Sequence, residues 1–133
     1  METIRTKSII EIVGKPKEHI TQTMQKVVEL IESNEKFSLT DKKIAETKEV
    51  KGLWSTFGEF EIDFSKFEDI GTFCFEFMPS SLEIISPEEL KIDSKEVEEF
   101  TNDVLAKLHQ YDMVVKQMIL QQKGVANLQK KED

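Results

Sequence analysis

The sequence predicts an α+β fold: a two-layer sandwich of order β-α-β-β-α-β over residues 1–93, with one long helix appended over residues 94–133. Three observations predict it. Short β-branched or alternating runs flank segments whose apolar residues recur every three or four positions. Phenylalanines concentrate between Phe57 and Phe77. From Asp93 to Lys123 no Gly or Pro interrupts the chain.

Lys7 to Val13 is β-branched and stops at Gly14, which reads as a central strand. Pro16 then occupies a first helical turn, with Glu18 favourable to the helix dipole. Ile20, Met24, Val27, Val28 and Ile31 form one face of an amphipathic helix ending near Ser33 and Asn34. Between Phe37 and Lys51 the pattern weakens: Phe37 and Leu39 alternate, but lysines intervene. This stretch reads as a charged edge strand and a loop turning at Gly52. Trp54 to Phe64 alternates Phe60, Ile62 and Phe64 with Glu59, Glu61 and Asp63, a half-buried strand.

Ser65 with Glu68 forms a capping-box pattern for a second helix, which turns Phe67, Ile70, Phe73, Cys74 and Phe77 inward and stops at Pro79. Ser81 to Ser86 reads as a fourth strand, and Pro87 to Asp93 as a further edge strand or a bridging turn. Asp93 or Ser94 caps the long helix, Gly124 is its expected stop, and Val125 to Asp133 is expected to fray.

At 133 residues the chain is long enough for one domain with a packed core. A net charge of −8 argues against a basic nucleic-acid surface, since phosphate binding needs clustered Lys and Arg. The single cysteine, Cys74, excludes an internal disulfide and fits a reducing cytoplasm. The start of the chain has no apolar signal region and no segment approaches a membrane span. The expectation is a soluble cytoplasmic protein.

Two surfaces carry the functional argument. The sheet face opposite the helices collects Glu11, Glu59, Glu61, Asp63 and Glu83 with Ile9, Val13, Phe57 and Ile85. It is either solvated or covered by the long helix or a second subunit. The long helix places Val104, Leu108, Tyr111, Val115, Met118, Gln122 and Val125 at heptad a/d spacing. Its first two turns suffice to cover the chain's own core. The remainder, Met113 to Leu120 above all, exceeds what the sandwich can cover and predicts self-association, with Val104, Leu108, Tyr111, Val115, Met118 and Val125 as the dimer interface.

Candidate chemistry is sparse. His109 and Asp112 share a helix face beside Tyr111, where they could bind a metal or exchange a proton. No further His or carboxylate at helical spacing completes a metal set, so an interface hydrogen-bonding role is preferred. His19 is expected to face solvent. Cys74 falls on the inward stripe, where a buried thiol is inert. Gly14 and Lys15, at a strand-to-helix turn, could offer backbone N–H groups to a small ligand, although Pro16 removes a donor and no Walker pattern is present. Lys42, Lys43, Lys48 and Lys51, broken by Asp41, Glu46 and Glu49, read as a charged edge, with Trp54 leaving RNA contact open. No catalytic residue, metal or cofactor is expected.

Phe77-Met78-Pro79-Ser80-Ser81, then Leu82-Glu83-Ile84 and Leu108-His109-Gln110-Tyr111-Asp112, resemble a small, poorly characterised archaeal protein family over residues 8–116. That resemblance implies no established activity and transfers no catalytic residue. The element order separately resembles ferredoxin-like and ACT-type regulatory domains. In the latter, effectors bind near the first strand–helix turn, which implies Gly14 here; the long terminal helix departs from that pattern. The leading expectation is therefore a non-enzymatic homodimeric interaction or assembly module. The alternative is an ACT-like small-ligand-binding regulatory domain. A protein or ribonucleoprotein partner fits the module, but no residue specifies it.

Overall fold

The computed structural model describes residues 2–132, and the side chains of residues 2–125. Its elements are β1 (Ile4–Gly14), α1 (Lys17–Glu32), β2 (Phe37–Ile44), β3 (Lys48–Val50), β4 (Leu53–Phe64), α2 (Phe67–Phe77), β5 (Ser81–Ser86) and α3 (Ser94–Glu132). The strands form one antiparallel sheet of order β2-β4-β1-β5, with β3 also on β4. The long β1 and β4 pair in register along their whole length, from Ile4 against Phe64 to Gly14 against Trp54. β1 is thus central, as its β-branched run predicts.

Alternation decides which face is buried. Ile4, Thr6, Ser8 and Ile10 of β1 and Phe60, Ile62 and Phe64 of β4 turn one way and are sealed. Against them pack Met24 and Ile31 from α1 and Ile70 and Phe73 from α2, while Ile20 is buried beside Gly14. Phe37 of β2 completes an aromatic cluster, with its ring 5.3 Å from Phe64 and edge-on to Phe73 at 5.5 Å. Edge-to-face pairs of this kind add to the area they bury. The predicted inward residues Phe67, Cys74 and Phe77 are half-buried, at the margin of this core.

Three local expectations are corrected and one is extended. The edge strand expected after Phe37 is found and runs further than expected: β2 and β3 follow the same edge of β4, interrupted at 45–47. They close on β4 through Lys51 and Gly52, both at positive φ, the two-residue turn whose twist suits a hairpin. Ser65 does not cap α2; Lys66 is the N-cap residue and contributes no side-chain hydrogen bond. Pro16 precedes α1 as its N-cap residue instead of lying in the first turn. Finally, α3 runs through Gly124 to Glu132, so neither the predicted stop nor the frayed tail from Val125 is found. Asp133 lies outside the described residues. The 87–93 stretch is a bridging segment, not a strand, and its Leu90 packs against the core.

Candidate interaction surface

Asp93 starts α3. Its carboxylate accepts the Glu96 backbone N–H at 2.9 Å, one of the donors a helix start leaves unpaired. No residue then breaks the helix for 39 residues, about 58 Å. α3 does not cross the sheet; its main packing partner is α2. Phe100 lies on Phe67 at 4.7 Å, and its ring edge occupies the space a side chain at Gly71 would need, 2.5 Å from a notional Cβ. One helix turn after the Lys107 region, Tyr111 reaches Phe75 at 6.2 Å. Between these contacts a cavity of about 310 Å³ is lined by Thr72, Phe75, Val104, Lys107 and Gln110.

This docking divides the predicted interface residues. Val104 is half-buried near α2, and Tyr111 meets Phe75. Leu108, Val115, Met118 and Val125 are 52–56% exposed. Val97 and Leu105, expected to cover the chain's own core, are exposed to nearly the same degree, and so is Ile119 of the 113–120 stretch. The α2 contact takes one face of α3 and leaves the face that carries Val97 and Leu105 open.

The polar pair lies on the same open helix. Asp112 binds Lys116 at 2.8 Å, one turn on, and this bond raises the lysine's pKa. His109 is exposed beside it. Among the described residues no group of three or more His, Cys, Asp and Glu could hold a metal ion. Burial pushes the Cys74 thiol up, which disfavours the reactive thiolate.

The other sheet face carries the acids the sequence places there. Arg5 bridges to Asp63 at 3.2 Å and Lys7 to Glu59 at 3.9 Å, so cations on β1 answer acids on β4. Because α3 packs on α2, in the opposite layer, it does not cover this face.

A second concavity, of about 630 Å³, opens between α1 and the β2–β3 edge. Met24, Val28 and Ile44 give it apolar walls, and Lys17, Glu29 and Glu46 a charged rim. Thr21 and Thr47 share a 2.9 Å hydroxyl bond across it, while Lys42 pairs with Glu32. Lys17 also lies over the Trp54 ring, 5.2 Å from its centre. Gly14 and Lys15 stand just before this cleft but do not line it. No sequence pattern foretells the cleft, because its walls come from segments far apart in the chain. No described helix is long and apolar enough to cross a membrane.

Comparison with known proteins adds kinship without an activity. No solved structure matches the chain. It is 33% identical over 105 residues to "Uncharacterized protein MJ0538" of Methanocaldococcus jannaschii, covering 77% of this chain and 38% of that protein. The chain thus spans well under half the length of the relative. The MJ0538 family model matches residues 5–131, which takes in nearly all of every strand and helix described above, and the chain belongs to the MJ0538 family.

Proposed function

We propose that the chain is a non-enzymatic assembly module that forms a homodimer through α3. One observation carries the reading. Met113, Val114, Val115, Met118, Ile119 and Leu120 are each 45–67% exposed and, at about 100° per residue, point all around the helix. A helix that is apolar on every side belongs in a packed interior, not in water. The body is read as a ferredoxin-like sandwich in which β2 and β3 are one interrupted strand. The neighbour order β2-β4-β1-β5, antiparallel throughout, supports this. The engagement of Asp112 by Lys116 and the raised Cys74 pKa favour binding over catalysis.

Light scattering on the full chain is expected to return twice the 15.4 kDa chain mass. Replacing Val115 and Met118 together by Glu is expected to return one chain mass with unchanged far-ultraviolet dichroism. A monomer before substitution overturns the proposal. The cleft beside α1 favours a second reading, an ACT-like domain that binds a small effector next to Gly14 and Lys15. A thermal-shift panel of amino acids and nucleotides separates the two, since the assembly module alone shifts with none.

A further inference from the structure

Resting on the self-association reading above, we infer that two α3 helices pair antiparallel along a line distinct from the predicted heptad seam, crossing near Leu108. Phe100, Val104 and Tyr111 are turned toward α2. Val97, Leu105, Leu108, Val115 and Ile119 follow a line rotated roughly 70° about the helix axis from that contact. They are 45–52% exposed although they run beside the body as well as beyond it. The line advances by threes and fours once Thr101 and Asp112 are included, which is the spacing of a helix–helix seam. The α2 contact and this line are adjacent faces of one helix. A second helix laid here extends an existing apolar interface and does not compete with it.

Charge selects both the occupant and its direction. Along α3 the acids Glu96, Glu98, Glu99 and Asp103 outnumber Lys95 in the first ten residues, whereas Lys116 and Lys123 outnumber Asp112 between 108 and 125. Only a helix with the reverse order complements this, and a second copy run antiparallel supplies it. With Leu108 at the crossing, Val97 meets Ile119 of the second copy, and Glu98, flanking the line, meets its Lys116. A parallel pair would instead set the acidic starts of the two helices level with each other, and their late lysines likewise. The helix dipoles also oppose parallel pairing and favour the antiparallel one. The same placement lays the apolar 113–120 stretch of one copy beside the start of α3 in the other. There Ile84 and Ile85, 41% and 46% exposed, lead through the 87–93 bridge into that helix.

Cysteine pairing in the full chain, with Cys74 replaced by Ala, tests the direction. Val97→Cys alone and Ile119→Cys alone are expected to give no disulfide-linked dimer under mild oxidation. An equimolar mixture allowed to exchange subunits is expected to give a linked heterodimer. Glu98→Lys is expected to weaken the dimer about tenfold, and adding Lys116→Glu to restore it, because exposed pairs are each worth up to about 1 kcal/mol and the dimer has two. Self-linking of Val97→Cys would mean a parallel dimer. A dimer that links in neither format, yet is still dissociated by the Val115 and Met118 substitutions, would mean another line of α3. Either result overturns this inference and leaves the self-association reading standing. A monomeric unsubstituted chain overturns both.

Discussion

Ser8 stands in the middle of β1, between Phe60 on β4 and Leu82 on β5, and its buried hydroxyl finds no hydrogen-bond partner among the described residues. Two residues earlier Thr6, equally buried, donates to the Ile62 carbonyl at 2.9 Å. The two positions therefore answer differently to loss of the hydroxyl. An unmet buried hydroxyl costs about 1–3 kcal/mol, while a met one contributes roughly 1 kcal/mol. Ser8→Ala is expected to leave stability unchanged or raise it by up to about 1 kcal/mol in chemical denaturation, and Thr6→Val to lower it by about 1 kcal/mol. A Ser8→Ala variant that loses stability would show the hydroxyl to be paired. Sequence alternation marks Ile10 and Ile12 as inward, and the same period of two carries Ser8 and Thr6 with them. Their polarity nevertheless imitates a solvated face. Both are sealed between β4 and β5 all the same.

The elements that the sequence reveals best are those whose signal is local. β1, α1, β4, α2 and β5 each carry their own period of 2 or 3.6, and each is found close to its predicted place. The β2–β3 edge is harder to see, because an edge strand needs little apolar content: β4 supplies its pairing and solvent takes its lysines. The continuation of α3 past Gly124 has a similar cause. Glycine weakens a helix by about 1 kcal/mol, too little to end one with good helix formers on both sides. What no local signal contains is where α3 docks. Gly71 holds that information, since its missing side chain makes the seat for Phe100. Gly71→Val is expected to lift α3 from α2 at a cost of about 1–3 kcal/mol, the usual penalty for overpacking. Hydrogen exchange would register it as faster amide exchange over 97–111, with β1 and β4 unchanged. Protection kept over 97–111 would show that Phe100 swings aside and the helix stays.

At the scale of the whole molecule, net charge and local charge pairs act in opposite directions on association, and salt separates them. Each chain carries −8. Two such bodies with centres about 30 Å apart repel by about 9 kcal/mol in unscreened water. A Debye length near 30 Å at 0.01 M salt reduces this to about 3 kcal/mol, and one near 10 Å at 0.1 M to below about 1 kcal/mol. Against this gain stand the two Glu98–Lys116 pairs of the antiparallel dimer. Being exposed, they can lose at most about 1 kcal/mol each to the same screening. The apolar contact along Leu108, Val115 and Ile119 is not weakened by salt. Relief of the repulsion outweighs the loss at the pairs, so raising salt from 0.01 to 0.1 M is expected to tighten the dimer on the order of tenfold, one decade being about 1.4 kcal/mol. Sedimentation equilibrium at the two salt concentrations measures this. A dimer that loosens with salt would place attraction between opposite charges, and not the apolar face of α3, at the centre of the interface.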